Sequence, residues 1–66
     1  MRVRFPLTEL ERQTRFLHQE CGLRLEDVVF EDDGVHAYAD VTMEPRVRGM
    51  YAKAFGHDPV QLEVRH

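Results

Sequence analysis

The chain has few of the residues from which covalent and metal sites are built. One of its 66 residues is cysteine, so Cys21 cannot form an internal disulfide. It lies at an apolar position of a predicted helix, where we expect a buried structural thiol. The four histidines, His18, His36, His57 and His66, show neither an HxxxH nor a paired-cysteine spacing. We therefore expect no metal site and no cofactor.

Residue combinations typical of enzymes are also missing. The four glycines are scattered and form no phosphate-binding loop, and no Ser-His-Asp or Cys-His arrangement is visible. Asp32 and Asp33 are adjacent acids, but at the tip of a predicted hairpin we expect them to stay hydrated, without the burial that shifts a catalytic carboxyl group. A domain of about 60 residues buries only about 60% of its unfolded surface, which argues against a deep cleft. We predict that the protein is not an enzyme.

Long apolar runs are absent as well. A membrane helix needs roughly 20 apolar residues, and the first residues, MRVRFPLTE, lack the apolar centre of a signal peptide. A hydrophobic fraction of 42% beside 32% charged residues is typical of a globular domain. We expect a single domain over residues 1–66 that works in the cytoplasm without membrane contact.

Basic residues are missing from one long stretch. Residues 25–44, LEDVVFEDDGVHAYADVTME, hold seven Asp and Glu and no Lys or Arg, a formal charge of −7, while the rest of the chain carries +4. Charge separated in this way steers association with an oppositely charged partner. It argues against direct contact between this segment and nucleic acid.

The same stretch predicts a β-hairpin. The Asp33-Gly34 pair, after Asp32, favours a tight turn, because glycine accepts the positive φ that such turns require. Apolar and polar side chains alternate over residues 35–43, the clearest strand pattern in the sequence. Residues 28–30 are all apolar, which fits either a bulge or a covered outer face. The hairpin is therefore both the predicted centre of the sheet and the acidic part of the chain.

Shorter patterns predict two more strands and two helices. They are a strand over 2–5 that Pro6 ends, a helix over 8–22, a helix over 44–56 and a strand over 60–65. Thr8 and Glu11 have the spacing of a capping box at the start of the first helix. Gly22 and Gly56 mark the two helix ends.

This order, βαββαβ, predicts an α+β fold of the ferredoxin-like type. In that arrangement strands one and three pair in the centre of a four-stranded antiparallel sheet, strands two and four form its edges, and both helices cover one face. The predicted core consists of Val3, Phe5, Leu10, Leu17, Phe30, Ala37, Ala39, Val41, Val47, Met50, Tyr51, Ala54, Val60, Leu62 and Val64. The opposite face, which includes Glu63 and Arg65 of the last strand, is predicted to be open.

Two candidate sites follow from these patterns. The first is an acidic surface that docks on a basic protein surface and competes with nucleic acid for its Lys and Arg groups. Its predicted residues are Glu26, Asp27, Glu31, Asp32, Asp33 and Asp40. The alternative site is the open sheet face, used for RNA as in RNA-recognition domains, with Arg2, Arg4, His36 and Tyr38. A third interpretation is a structural module that dimerises weakly through an edge strand, and a fourth is that the acids only keep the protein soluble.

A small, acidic βαββαβ domain without catalytic residues resembles the phage-encoded anti-CRISPR inhibitors. In size and fold it is similar to those that act on type I-C Cascade. The resemblance implies binding to the large subunit that recognises the PAM, blockade of DNA binding, and action in the cytosol of the host cell. It assigns no individual residue of this chain.

Overall fold

The chain forms the predicted elements in the predicted order. The computed structural model describes residues 1–62. Its strands are β1 Arg2–Pro6, β2 Val29–Phe30, β3 His36–Asp40 and β4 Val60–Gln61. Its α-helices are α1 Leu10–Cys21 and α2 Pro45–Phe55, and two short 3-10 helices span Leu7–Glu9 and Leu25–Asp27. In the part of the chain that the structure describes, no helix has the length and apolarity that crossing a membrane requires.

The four strands form one antiparallel sheet in the order β2-β3-β1-β4. Strands β1 and β3 are central, as the sequence predicts, with Val3 opposite Ala39 and Phe5 opposite Ala37. Because side chains alternate across a strand, these four residues share one face of the sheet. The protein is thus an α+β fold with a four-stranded antiparallel sheet and two helices.

Both helices pack against that face. Leu17 of α1 and Tyr51 of α2 belong to one buried cluster with Val3 and Phe5 of β1. The predicted core residues that are buried are Val3, Phe5, Leu17, Ala37, Ala39, Val41, Val47 and Tyr51. Leu10, Met50 and Leu62 are half-buried. Ala54 is exposed, so its prediction as a core residue is wrong.

Helix α1 begins later than the sequence predicts. The Thr8-Glu11 capping box does not form, because residues Leu7–Glu9 make a 3-10 turn first and no side chain caps either helical segment. The backbone N–H of Leu7 instead donates to the carbonyl oxygen of Val35 at 2.9 Å, which ties the end of β1 to the hairpin. The predicted end is confirmed, since Gly22 has φ +71° in the left-handed region.

A polar pair lies between the two helices, which the sequence patterns did not reveal. Gln13 and Tyr51 are both 0% exposed, and Gln13 Nε2 donates a hydrogen bond of 2.7 Å to Tyr51 Oη. The other amide atom, Gln13 Oε1, has no hydrogen-bond partner within residues 1–62. Burial raises the pKa of the Tyr51 phenol, and the hydrogen bond from Gln13 opposes that rise.

Cys21 is half-buried against the core instead of fully buried.

The first hairpin strand is shorter than predicted. Residues Leu25–Asp27 form a 3-10 helix, so only Val29 and Phe30 pair with β3. Phe30 lies opposite Ala37 on the helix-facing side, yet it is 60% exposed. Its assignment to the core is wrong, because an edge strand has no neighbour beyond it to cover the side chain.

The last strand turns the opposite set of side chains toward the helices from the set that the sequence predicts. Val60 lies opposite Arg4 on the open face and is 50% exposed, whereas Gln61 lies opposite Val3. A shift of one residue in register moves every side chain to the other face, so Val60 is not a core residue. The predicted core residue Val64 and the open-face residues Glu63 and Arg65 lie outside the described residues.

Candidate functional site

The tip of the β2-β3 hairpin is built by Asp33. Its Oδ1 accepts hydrogen bonds from the backbone N–H groups of Val35 at 2.9 Å and His36 at 3.0 Å. Gly34 follows with φ +74°, and its N–H donates to the carbonyl oxygen of Glu31. An Asp side chain that bonds the backbone two residues ahead mimics a backbone turn. The predicted turn at Asp32-Asp33-Gly34 is confirmed, and Asp33 has a structural role in it.

Arg4 ties this tip to the centre of the sheet. Its Nε lies 2.7 Å from Glu31 Oε2 and its Nη2 lies 3.3 Å from Asp33 Oδ2. His36 Nδ1 lies 2.6 Å from the same Asp33 oxygen. The backbone hydrogen bond from Val35 and the side-chain bond from His36 lower the pKa of Asp33 from 3.8 to about 2. Two of the six predicted docking carboxylates are therefore held by the protein itself.

Three of the other predicted carboxylates also have a cation beside them. Arg24 Nε lies 3.5 Å from Glu26 Oε1 and 3.3 Å from Asp27 Oδ2. The N-terminal ammonium lies 3.3 Å from Asp40 Oδ1, although that side chain remains 71% exposed. Asp32 is exposed at the tip and forms no ion pair within the described part of the chain.

The six predicted residues are divided by the edge strand. Glu31, Asp32 and Asp33 follow β2 at the tip, whereas Glu26 and Asp27 lie on the 3-10 helix before it. Asp40 ends β3, at the far end of that strand from the tip. The structure thus places carboxylates at both ends of β2.

Exposed apolar side chains lie between and beside these acidic groups. Among residues 1–62 the large exposed hydrophobic side chains are Leu25 at 69%, Phe30 at 60%, Val35 at 56%, Val60 at 50% and Val29 at 43%. All but Val60 lie on β2, on the segment that leads into it, or on the turn that leaves it. We call β2 with its flanking residues 25–28 and 31–35 the hairpin edge.

A shallow groove runs between the hairpin edge and helix α1. Its apolar lining comes from Leu10 on one side and from Leu25, Val28 and Phe30 on the other. A neighbouring cavity shares Leu25 with this groove and is also lined by Arg15, Arg24 and Glu26. Both are open to solvent.

The alternative sheet-face residues do lie together. Strand register places Tyr38 opposite Arg4, and the Arg2 guanidinium lies over the Tyr38 ring at 5.5 Å from its centre. His36 is two residues from Tyr38 on the same face. However, Arg4 and His36 already bond Asp33, as described above, so a phosphate would have to compete with that carboxylate for both.

One group of possible metal ligands is present although none was predicted. Donor atoms of Glu31, Asp33 and His36 lie within 4.8 Å of one another. Arg4 contacts two of these three residues. Its guanidinium already neutralises the carboxylates that a metal cation would bind. We assign no metal to this group.

Sequence reasoning missed Arg24, and it predicted Arg4 for the open sheet face without its pairing to Glu31 and Asp33. Arg24 stands one position before the acidic stretch, and its spacing of two and three residues from Glu26 and Asp27 was a readable signal. Nothing in the sequence pattern connects Arg4 to Glu31, because 27 residues separate them. Comparison with known proteins finds no family model that matches the chain, no matching curated protein and no matching solved structure.

Proposed function

We propose that the protein is a non-enzymatic inhibitor that uses its hairpin edge to dock on a basic, nucleic-acid-binding surface of another protein. The observation that carries the proposal is the exposed apolar strand β2 with carboxylates at both of its ends. Protein interfaces have this anatomy, with an apolar centre and a polar rim that solvent reaches.

The apolar centre gives the proposal its source of affinity. Leu25 and Phe30 expose 69% and 60% of their surface on the same edge of a small domain. Clustered exposed hydrophobic groups on a monomeric protein mark interaction sites more often than single scattered ones do. Truncation of a few large side chains usually accounts for most of the binding free energy of an interface.

The rim gives the proposal its choice of partner. Five of the six carboxylates pair with Arg4, Arg24 or the N-terminal ammonium, and six negative charges against these three positive ones leave an excess of three. Most of these ion pairs are solvent-exposed, and exposed pairs contribute only about 0–1 kcal/mol, so a partner's arginine or lysine can replace them. An excess negative charge repels phosphates and attracts the surfaces that bind phosphates.

We also propose a specific fold type and a specific target. The βαββαβ order and the central position of β1 and β3 support a small ferredoxin-like domain. We propose a CRISPR effector complex as the target, specifically the PAM-recognising large subunit of type I-C Cascade, because the chain resembles phage anti-CRISPR inhibitors in size, acidity and topology. The site of action is then the cytosol of the host cell.

A gel-shift assay with purified type I-C Cascade and a PAM-containing DNA duplex tests the proposal. We expect prior addition of the protein to abolish the shift, and Asp32→Lys to restore DNA binding in part. Asp58→Lys is the matched control, because it makes the same charge change at an exposed residue between α2 and β4. An unchanged DNA shift at saturating protein refutes the target, and equal effects of the two variants refute docking through the hairpin edge.

A second candidate function is RNA binding on the open sheet face, which the stacking of Arg2 on Tyr38 favours. Side chains of this kind on a central strand support base stacking. A gel shift with single-stranded RNA that Tyr38→Ala removes supports this alternative. Absence of a shift at moderate salt excludes it.

A further inference from the structure

We infer that the partner contributes an extended basic segment that pairs with the outer edge of β2 as a fifth strand. The inference deepens the proposed function and rests on it, because it names the form in which the partner meets the hairpin edge. Addition of a strand to an exposed sheet edge is a recurring mode of peptide recognition, in which main-chain hydrogen bonds supply affinity.

The backbone of β2 has free hydrogen-bonding groups on its outer side. Among residues 1–62 the strand order is β2-β3-β1-β4, so within this part of the chain β2 has a neighbouring strand on the β3 side alone. The N–H of Glu31 donates to the carbonyl oxygen of His36 at 3.0 Å, and Phe30 lies opposite Ala37, one position away. Since bonded and non-bonded pairs alternate in an antiparallel ladder, the N–H and C=O of Phe30 point away from β3.

The side chains of β2 do not oppose strand addition, although its length of two residues limits the ladder that a partner can form. Natural edge strands are often very short, or carry lysine, proline or a bulge that discourages pairing with another chain. Strand β2 consists of Val29 and Phe30, both exposed and both apolar. Its side chains also leave room on each face, since Phe30 borders the groove along α1 and Val29 lies beside Tyr38 on the open face.

The charges at the ends of β2 specify the composition of the added segment. Asp27 and Glu31 are four residues apart, which corresponds to roughly 13 Å in an extended chain. A segment with Arg or Lys at both ends and apolar residues between them matches this pattern, and its cations would replace Arg24 beside Asp27 and Arg4 beside Glu31. A second copy of this chain does not, because its own carboxylates would meet those of the first copy, and like charges across a strand pair are destabilising.

A peptide titration of the full-length protein tests the inference independently of any effector complex. The probe is Ac-Arg-Val-Thr-Val-Arg-NH2, with Ac-Glu-Val-Thr-Val-Glu-NH2 as the control of opposite charge. In ¹⁵N-labelled protein we expect saturable shifts of the Phe30 and Glu31 amide signals and slowed hydrogen exchange at Phe30 with the basic peptide. We expect at least tenfold weaker binding of the acidic peptide.

Two substitutions separate the main-chain contribution from the side-chain contribution. Phe30→Ala removes the ring and keeps the N–H, whereas Phe30→Pro removes both without breaking a bond to β3. Loss of one hydrogen bond in a desolvated edge weakens binding by about tenfold, so the proline variant should bind that much more weakly than the alanine variant. Thermal unfolding of both variants checks that each is folded. Independently of any variant, slowed hydrogen exchange at Phe30 in the unsubstituted protein reports the main-chain hydrogen bond to the peptide.

Several results would overturn strand addition. They are no saturable binding of the basic peptide at millimolar concentration, shifts centred on Arg2 and Tyr38 instead of Phe30, equal affinity of the two variants, or concentration-dependent dimerisation in sedimentation that involves Phe30. If the protein blocks Cascade while the peptide does not bind, the inhibitory function stands and the strand geometry is wrong. If the peptide binds at Phe30 while Cascade is unaffected, the geometry stands and the proposed target is wrong.

Discussion

Replacement of Tyr51 with phenylalanine removes one oxygen atom from the centre of the molecule, and we expect it to lower the free energy of unfolding by about 1–3 kcal/mol. Tyr51 Oη accepts the 2.7 Å hydrogen bond from Gln13, and both side chains are 0% exposed. Because Gln13 Oε1 has no partner within residues 1–62, the substitution leaves both ends of the buried amide unpaired. A domain of this size has a total stability of roughly 3–10 kcal/mol, so the loss is a substantial part of it.

The double variant Gln13→Met/Tyr51→Phe gives the decisive comparison. It removes the buried amide and the hydroxyl together, and replacement of both partners by apolar groups of similar shape is nearly neutral or stabilising. We therefore expect a coupling free energy of about 1–3 kcal/mol between the two positions. Chemical denaturation followed by circular dichroism measures it, and each kcal/mol corresponds to roughly 4–8 °C in Tm for a domain of this size.

Tyr38→Phe is the control, because it removes the same oxygen from a residue on the open sheet face. We expect its effect to stay within about 0.5 kcal/mol. Strictly additive effects of the Gln13 and Tyr51 substitutions on the free energy of unfolding would refute the reasoning. They would mean that neither side chain needs the other as its hydrogen-bond partner.

Three further predictions concern the core and the hairpin tip. Phe5→Ala should cost about 3–5 kcal/mol and leave much of the protein unfolded at 25 °C, because Phe5 is 1% exposed, whereas Phe30→Ala should change the midpoint of denaturation very little. Asp33→Ala should speed hydrogen exchange at the Val35 and His36 amides, whereas Asp33→Asn, which keeps an oxygen acceptor, should preserve part of their protection; equal exchange in the two variants would contradict the turn geometry. Because the folded-state pKa of Asp33 is lowered from 3.8 to about 2, its contribution to stability is complete above pH 3.8 and is lost as the pH falls through about 2. A side-chain titration followed by NMR that gives a midpoint near 3.8 would refute this last assignment.

Elements with neighbours on two sides were predictable from the sequence. Strand β3 pairs with both β1 and β2, and the two helices cover one of its faces, so Ala37 and Ala39 are buried with the period of two that the pattern predicts. The helix ends at Gly22 and Gly56 were also predictable, because both residues adopt the left-handed backbone that glycine accepts most easily.

The burial of side chains on the edge strands was not predictable, because these strands are short and lie at the rim of the sheet. Strands β2 and β4 contain two residues each, too few for alternation to set which face is buried. Local apolar character placed Phe30 and Val60 in the core, yet both are at least half exposed. Whether a side chain at the rim of a sheet is covered depends on elements that pass over it, and a local pattern contains no information about them.

The residues of the acidic site were predictable from the sequence, but the electrostatic potential that they produce was not. The charge count of residues 25–44 treats each carboxylate as free, whereas Arg24 lies just outside that window and Arg4 reaches Glu31 and Asp33 through the register of β1 with β3. The tertiary structure thus reduces the excess charge. It also turns Asp33 from a predicted contact residue into the residue that holds the turn.

These internal ion pairs change what the proposed interface depends on. Long-range attraction depends on excess charge, so pairing of five of the six carboxylates weakens the steering of a basic partner. The same contacts fix the tip beside β2, and a surface that is ordered before binding loses less conformational entropy when the partner arrives. We therefore expect the association rate to fall moderately with salt, and the dissociation rate to depend mainly on Phe30 and Leu25. If a single charge reversal at Asp32 increases dissociation more than Phe30→Ala does, the apolar edge is not the source of affinity.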